Sequence, residues 1–314
     1  MTASLALAWL CLATAMAIVG AYVGFSKALV VVFPVFLLAF LRFAIAAVAM
    51  LPWLRRPKEE APLTREQKRL LFVESFFGNF LFSICMLYGV ARSSALAAGV
   101  IMAAIPAVVA VLSWLLLGER VPRRVAAGVA CAVAGIALVS LARDPDGEHD
   151  PATLLGNLLL FGAVVCEAIY VVVGKRLSGS IGPKRISALI NLWGLALVAP
   201  FGILQVTGYR FETPWGTWQA SPFPFAYIPE SSYVLLAAYA ISASVITVGL
   251  WMTGMRRVPA ASAGVFTVFL PISAAAVGVA FFGETFSAVQ AAAFALALAG
   301  VVLASWRSGA TAIP

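Results

Sequence analysis

Two charged side chains stand inside long apolar stretches of this sequence, where an ionised group is costly. Arg42 lies in the stretch 33–54, and Glu167 lies in the stretch 153–174. Charged residues in such surroundings either mark a site for a ligand or ion or pair with one another. Glu167 is therefore a candidate to bind a cationic amine or to carry a proton. The alternative is a structural ion pair with Arg42 or a hydrogen bond to the backbone.

Uncharged polar and aromatic side chains form a second group of candidates. Asn79 and Ser83 are four residues apart, so they share one face of a helix. The tyrosines that also interrupt apolar stretches are Tyr22, Tyr170 and Tyr239. Such groups can hydrogen-bond a small polar ligand while their rings contact its apolar part. The alternative is that they only hydrogen-bond one helix to another.

Two segments of the chain have nearly the same spelling. AGVIMAAIPAVVAVLSWLLLGE runs from Ala98 to Glu119, and AGVFTVFLPISAAAVGVAFFGE runs from Ala263 to Glu284, a constant offset of 165 residues. A proline inside a helix removes one hydrogen bond and clashes with the preceding turn. Because the proline occurs in both segments, we interpret Pro106 and Pro271 as hinges, the alternative being ordinary kinks.

The residues around each hinge share a helical face with it. The positions four and seven places before each proline are Met102 and Gly99 in the first segment, and Thr267 and Gly264 in the second. We predict that these two faces meet. The Gly-Glu pairs that close the segments suit helix ends, and Glu119 and Glu284 are expected to cap the helices that follow them.

The composition requires these residues to be carried by membrane helices. The chain is 63% hydrophobic and 11% charged, whereas about a quarter of a soluble chain is charged. A helix needs about 20 apolar residues to cross a bilayer. Runs of this length, numbered here as spans one to ten, lie at 4–27, 33–54, 68–90, 94–117, 123–142, 153–174, 184–205, 232–255, 259–282 and 286–306. All four cysteines fall within these runs, which indicates buried thiols rather than disulfides or metal ligands.

The distribution of basic residues predicts the orientation of the spans. With the N-terminus inside, sixteen of the 21 basic residues lie in cytoplasmic connections, and only Lys27, Arg92, Arg143 and Arg210 lie in outer ones. This bias predicts that both termini are cytoplasmic. Glu74, which begins span three beside a basic connection, is expected to be an anchor at the surface.

The paired segments then predict an internal symmetry. An acidic stretch around residue 146 divides the chain into residues 1–145 and 146–314, each with five spans, and an odd number requires the second half to enter from the opposite side. Tyr22 and Lys27 match Tyr170 and Lys175 at an offset of 148. The difference in offset indicates an insertion, which we place in an outer loop at about 206–231. We predict an all-α membrane protein of ten transmembrane helices in two inverted five-helix repeats, an arrangement typical of secondary transporters.

The ten spans, the basic connection after span two and the paired AGV...P...GE segments resemble the EamA-type carriers of the drug/metabolite transporter superfamily, most closely the YddG-type bacterial amino-acid exporters. The resemblance covers essentially the whole chain. It implies a central cavity lined mainly by spans one, three, four, six, eight and nine, with spans five and ten outside. The residues predicted to bind substrate there are Tyr22, Asn79, Ser83, Met102, Glu167, Tyr170, Tyr239 and Thr267.

We therefore predict a secondary transporter that exports small neutral or zwitterionic metabolites, above all aromatic and other neutral amino acids, by alternating access. Its partners are the small-molecule substrate and the lipid bilayer of the bacterial cytoplasmic membrane. A phosphate-bearing substrate would need several convergent basic groups, and only Arg42 is deep in a span. An exporter of lipophilic cations stays open as an alternative, with Glu167 supplying the negative charge.

An intramembrane enzyme is the alternative from another class. The sequence contains neither HExxH nor GxSxG, and its single histidine, His149, lies in an outer connection. The nucleotide-binding pattern GxxxxGK[ST] is also absent, which disfavours transport driven by ATP. We expect no enzymatic activity, no cofactor, no catalytic metal and no nucleic-acid partner.

Overall fold

The computed structural model describes residues 3–56, 60, 62–117, 123–141, 151–177, 181–213, 216–255, 266, 269–285 and 287–305. In chain order the α-helices are α1 (Ala3–Val32), α2 (Val35–Ala49), α3 (Arg65–Ser75), α4 (Phe82–Ala91), α5 (Ala95–Met102), α6 (Ile105–Leu117), α7 (Arg123–Leu141), α8 (Pro151–Leu177), α9 (Pro183–Thr207), α10 (Glu230–Ile241), α11 (Thr247–Met255), α12 (Phe269–Phe282) and α13 (Ala288–Ser305). Short 3-10 helices cover Leu51–Leu54 and Phe225–Tyr227.

Within the described residues, six helical segments are long and apolar enough to cross a membrane: Leu5–Val32, Arg65–Ala91, Ala95–Leu112, Thr153–Gly174, Pro183–Thr207 and Glu230–Trp251. Shorter apolar helices lie at predicted spans two, five, nine and ten: Val35–Ala49, Ala126–Leu138, Phe269–Phe282 and Ala288–Gly300. The predicted helical membrane architecture is confirmed. The number of membrane crossings and the side on which the termini lie stay predictions.

The packing of the helices has the same pattern in both predicted halves. α1 packs on α12, and its counterpart α8 packs on α5 and α6; spans one and nine thus meet as spans six and four do. α2 packs along α9, and α7 packs along α13, so spans two and five each contact their own counterpart. Two repeats related by a two-fold axis produce such reciprocal contacts. The predicted boundary at residues 145 and 146 lies outside the described residues.

Span four is interrupted ahead of its proline. α5 ends at Met102, Ala103 and Ala104 form a turn, and α6 begins at Ile105. Pro106 has no N–H with which to bond the carbonyl of Met102, so the regular helix cannot run through this point. The interruption separates α5 from α6 within one membrane-length segment.

Two π-helical segments interrupt spans three and eight. Phe76–Leu81 joins α3 to α4, and Ser242–Ile246 joins α10 to α11. The two segments end 165 residues apart, the same offset that relates Pro106 to Pro271. Such π-helical bulges are rare and occur often at functional sites. The sequence analysis did not predict them.

The connection after α9 contains a two-stranded antiparallel hairpin. Strand β1 (Tyr209–Thr213) pairs with β2 (Gly216–Ala220), with Tyr209 opposite Ala220. The predicted outer loop at 206–231 therefore has regular structure that its lack of helical periodicity did not reveal. We call the end of the bundle with Lys27, the hairpin and Glu284 the hairpin end, and the opposite end, with Arg55, Arg65 and Lys184, the basic end.

Candidate binding cavity

A cavity of about 120 Å³ lies in the middle of the bundle. Its described lining comes from spans one, two, three, four, six, seven, eight and nine, and none of it comes from α7 or α13. The family resemblance implied this arrangement except for spans two and seven, which contribute Arg42 and Asn191. The cavity therefore lies where the two predicted halves meet.

Most of the predicted substrate-binding residues lie at this cavity. The ones that line it are Tyr22, Asn79, Met102, Glu167 and Tyr170. Tyr239 lies behind Tyr22, with the ring centroids 5.6 Å apart and the rings at 82°. Ser83 is buried without reaching the cavity, and Thr267 lies outside the described residues.

Arg42 is held by groups other than a carboxylate. Its Nη2 donates a hydrogen bond of 2.6 Å to the hydroxyl of Ser83, which in turn donates to the backbone carbonyl of Asn79. The guanidinium carbon lies 4.2 Å from the centroid of the Phe43 ring and 6.0 Å from that of Tyr239. Stacking on aromatic faces stabilises a desolvated cation. Ser83 thus positions Arg42 rather than contacting the cavity itself.

Glu167 faces the cavity without a cationic partner. Neither a hydrogen bond nor an ion pair joins it to another side chain that the structure describes, so the pairing with Arg42 considered in the sequence analysis is absent here. Both Arg42 and Glu167 nevertheless line the cavity. The cavity therefore offers a ligand a guanidinium and a carboxyl group on different helices.

Polar side chains of span three fasten the first π-helical segment to span seven. The amide nitrogen of Asn79 donates to the carbonyl of Ile190 over 2.9 Å, and the hydroxyl of Ser75 donates to the same carbonyl over 2.7 Å. The amide of Asn191 donates to the carbonyl of Phe43 over 3.0 Å. Asn79 and Asn191 thus combine helix packing with a place on the cavity wall.

Span eight supplies lining residues that the sequence analysis missed. Ser244, Thr247, Val248 and Trp251 all line the cavity. Their spacing of three, four and seven residues from Ser244 is a helical stripe, which was a readable signal. It was not used because only Tyr239 of span eight was considered as a candidate, and Tyr239 does not line the cavity.

The predicted hinge segments contact one another where the structure describes them. A Cβ placed on Gly99 would lie 3.0 Å from the carbonyl oxygen of Pro271, so α5 and α12 approach closely at this point. Met102 and Leu270 line the cavity beside this contact. Gly264 lies outside the described residues, and the role of Pro106 and Pro271 as hinges stays a prediction.

Glu74 does not lie at the surface, as the sequence analysis expected. Its exposure is 0%, and neither carboxylate oxygen has a hydrogen-bond partner among the described residues. The prediction was wrong because α3 begins at Arg65, which places Glu74 roughly 14 Å along the helix. Oε1 faces Gly174 of α8, where a Cβ would lie only 2.8 Å away.

Glu284 also has a different partner from the expected one. Its carboxylate accepts hydrogen bonds from the backbone N–H groups of Ala95 and Leu96, at 3.0 and 2.8 Å, and from Nζ of Lys27 at 2.8 Å. It therefore caps α5, in the other predicted half, whereas the following helix α13 is capped by Ser287. Gly283, with a φ of +64°, ends α12 as predicted. Glu119 lies outside the described residues.

The central cavity adjoins another one on the side of the basic end of the bundle. A second cavity of about 450 Å³ lies there and is lined by Trp53, Arg55 and Lys184 among others. Ser187 and Val248 line both cavities. At the hairpin end, the contact of Glu284 with α5 and a core of fully buried side chains close the bundle; these include Val23, Leu29, Phe33, Leu37 and Leu87.

Known proteins resemble this chain in sequence and in fold, most of them over nearly its whole length. A sequence model of the EamA-like transporter family matches residues 6–141 and 154–306, one match in each predicted half. The chain is 34% identical over 295 residues to the "Uncharacterized transporter YetK" of Bacillus subtilis (strain 168), which covers 94% of this chain and 85% of that protein. It is 30% identical over 158 residues to the "Threonine/homoserine exporter RhtA" of Escherichia coli (strain K12), covering 50% of this chain and 46% of that protein. A crystal structure with 20% identity has the same fold, with a TM-score of 0.62 over 95% of each chain.

Proposed function

Because the chain belongs to the EamA-like transporter family and is a multi-pass protein of the bacterial inner membrane, we propose that it exports small neutral or zwitterionic metabolites by alternating access, with neutral amino acids as the main class. The observation that carries this proposal is the cavity with Glu167 and Arg42 on different helices. An amino acid has an ammonium and a carboxylate, which these two groups complement. The name of the matched relative RhtA, a threonine/homoserine exporter, supports the same substrate class.

The aromatic lining supports a preference among amino acids. Tyr22, Tyr170 and Trp251 line the cavity together with Met102 and Leu270. Such groups bury an apolar or aromatic side chain while the polar groups orient the backbone of the ligand. Aromatic and branched amino acids are the substrates that this lining favours. The likeness to YddG-type exporters in particular remains part of the proposal.

The open and closed ends of the bundle support the direction of transport. The basic end is the predicted cytoplasmic side, and the second cavity, which shares Ser187 and Val248 with the central one, lies there. The described conformation is therefore one that loads substrate from the cytoplasm. Release requires the hairpin end to open, which must break the contact of Glu284 with Lys27 and α5.

A lipophilic cation is the second candidate substrate. Glu167 in an aromatic cavity, without a cationic partner among the described side chains, would suit such a ligand. Arg42 in the same cavity disfavours it, because a second positive charge nearby is repelled. The zwitterion satisfies both charged groups, so it is the better fit.

The experiment that tests the proposal is counterflow of labelled amino acids in proteoliposomes. Wild-type protein should exchange neutral amino acids, and the Glu167→Gln variant should need a roughly tenfold to hundredfold higher concentration, since a hydrogen bond to a charged group is worth about 1.5–3 kcal/mol. Asn79→Ala should weaken exchange as well. Glu230→Gln, which changes an exposed glutamate in the first turn of α10, is the matched control.

Three results of this experiment would contradict parts of the proposal. Counterflow of a phosphate ester without any amino acid would overturn the substrate class. Counterflow of labelled tetraphenylphosphonium alone would favour the lipophilic-cation exporter. Unaltered exchange by both Glu167→Gln and Asn79→Ala would remove the named site from the mechanism.

A further inference from the structure

Glu74 is a buried acid that the transport mechanism described so far does not use. It occupies the last turn of α3, two residues before the first π-helical segment. The residue is fully buried, and both of its carboxylate oxygens lack a hydrogen-bond partner in the described part of the chain. Burial of a carboxyl group without a hydrogen bond costs free energy that burial of an apolar side chain at the same position would not.

The surroundings of Glu74 are apolar on the sides from which helices pack. Gly174 of α8 lies against its Oε1, and the neighbouring buried side chains of this corner are Leu71, Leu177, Ile186 and Ile190. The adjacent Ser75 does not help, because its hydroxyl is bonded to the carbonyl of Ile190. Neither carboxylate oxygen of Glu74 accepts a hydrogen bond from a described group.

The described ionisable side chains on the elements packed against α3 form no hydrogen bond or ion pair with Glu74. They are Glu167 and Tyr170 on α8, and Lys184 and Arg185 on α9; the side chains of Lys175 and Arg176 lie outside the described part of α8. Arg185 pairs with Glu60, and Nζ of Lys184 lies 5.7 Å from the centroid of the Trp53 ring. On α3 itself, Arg65, Glu66, Lys68 and Arg69 are exposed. The described side chains in this set form no bond with Glu74.

An unpaired carboxylate in such a place loses its hydration without gaining a replacement, so the neutral acid is strongly favoured. In the conformation open towards the basic end, Glu74 therefore holds a proton. The proton cannot be exchanged freely, because the side chain is closed off from the cavity. A group that is protonated and occluded in one conformation is suited to carry a proton between two conformations.

The internal repeat gives this position a counterpart. Tyr239 stands 165 residues after Glu74, close before the second π-helical segment. It is also buried, and its hydroxyl has no partner among the described residues. Tyr239 packs on Tyr22, whereas the matching corner holds Tyr170, whose ring covers Gly78 one turn from Glu74. The same polar corner thus carries a neutral phenol in one half and an acid in the other.

Glu74 is also connected to the substrate cavity through its neighbours. Gly78 and Asn79 belong to the π-helical segment that follows it, and both line the cavity together with Tyr170. A ligand that displaces Tyr170 or this segment would open a path between the cavity and the acid. The route is short, since one helical turn separates Glu74 from Gly78.

We propose that Glu74 is the binding site of a coupling proton that the carrier exchanges for its substrate. This inference rests on the proposed export function. When substrate binds from the cytoplasm, the O–H bond of the carboxyl breaks, the proton passes to water at the basic end, and the electron pair stays on the carboxylate. Water that enters along the opened path hydrates that charge, and a proton from the outer side restores the acid after the substrate is released.

The test compares exchange with uphill transport in proteoliposomes whose membrane potential is clamped at zero. With an interior more acidic than the exterior by one pH unit, one-for-one exchange can raise the internal amino-acid concentration by up to about tenfold. Wild-type protein should accumulate labelled amino acid in this way. Glu74→Gln should show no accumulation while its counterflow stays within about twofold of wild type. Glu66→Gln, an exposed glutamate in the first turn of the same helix, is the matched control.

A second measurement tests the inference even if the Glu74→Gln variant does not fold. Purified wild-type protein in weak buffer should release up to one proton for each amino acid bound, and Glu74→Asp should release it with a shifted pH dependence. The inference is overturned if Glu74→Gln accumulates substrate like wild type, if folded Glu74→Gln loses counterflow as well, or if wild-type protein exchanges amino acids but neither responds to the gradient nor releases protons. Absence of all amino-acid counterflow in wild-type protein would instead overturn the proposed function, and this inference with it.

Discussion

At the scale of single residues, Arg42 is stabilised by a chain of contacts that begins at Ser83. Arg42 is 5% exposed, and Nε of its guanidinium has no hydrogen-bond partner among the described residues. Its bond to Ser83 and the ring of Phe43 are therefore important for keeping the cation inside the bundle. Sequence analysis placed Ser83 on the cavity because it lies four residues from Asn79, whereas its actual partner lies 41 residues away.

Substitution Ser83→Ala should reduce stability more than it reduces substrate affinity. Removal of the hydroxyl leaves Nη2 of Arg42 without its acceptor, and a hydrogen bond to a charged group is worth about 1.5–3 kcal/mol. We expect a lower midpoint in thermal unfolding of the detergent-solubilised protein. Ser231→Ala makes the same change at an exposed position in the first turn of α10 and should leave the midpoint unchanged. Equal midpoints for all three proteins would show that Ser83 does not hold Arg42.

At the scale of secondary structure, the hairpin end is closed by a contact between elements of different predicted halves. Glu284 follows α12 but bonds the first N–H groups of α5, while Ser94 accepts a further bond from Ala97. These donors belong to a helix N-terminus, where the helix dipole also favours a negative charge. Lys27 of α1 adds a third contact. One carboxylate therefore ties three elements together.

Substitution Glu284→Gln should favour opening of the hairpin end. The neutral amide can accept one bond from α5 but no longer attracts Lys27, and a loss of about 1.4 kcal/mol changes the open population tenfold. Ser26→Cys in a variant without other cysteines would report this, because Ser26 is fully buried near this end. A maleimide reagent should label it about tenfold faster in the Glu284→Gln background. Glu230→Gln should label at the original rate, and an unchanged rate for Glu284→Gln would exclude the contact as a closing element.

The π-helical segments show a limit of sequence analysis for individual elements. Phe76–Leu81 and Ser242–Ile246 occupy matching positions in the repeat but have different amino-acid sequences. No pattern in the residues therefore indicated a change in backbone hydrogen bonding. The interruption in span four was predictable, because proline lacks the required N–H. An element whose cause is one specific residue can be predicted, whereas one that depends on packing between distant helices cannot.

At the scale of the whole molecule, the orientation of the two halves is testable by labelling. In intact bacteria, a membrane-impermeant maleimide should modify Asp146→Cys directly, because the segment between the halves is predicted to lie outside. It should modify Glu66→Cys only after the membrane is broken. Labelling of position 146 from the cytoplasmic side alone would contradict the inverted arrangement.

The architecture was largely predictable, because a segment that spans lipid must satisfy its own backbone hydrogen bonds, and apolar runs of about 20 residues match helices rather than barrel strands. The family was predictable too, since the paired AGV...P...GE segments and the ten runs are local signals, and the family match confirms it. Residues that line the cavity, such as Tyr22 and Tyr170, followed from the repeat and the resemblance. The burial of Glu74 and the partners of Glu284 did not follow, because the helices that contact these two residues lie far away in sequence. Contacts across 189 residues, as between Ala95 and Glu284, have no signature in one sequence.

The three contacts of Glu284 also bear on how well the membrane around this protein keeps its ion gradient. Lys27, Ala95 and Leu96 all bond the same carboxylate, so we expect the loss of one bond to weaken the other two. Partly open forms of the hairpin end are then expected to be rare. A membrane can keep an ion gradient only if ions do not leak through its carriers when no substrate is bound. Under the proposed alternating access, the shared carboxylate is expected to keep the hairpin end closed to ions between transport cycles, and its release is expected to limit how fast the empty protein returns.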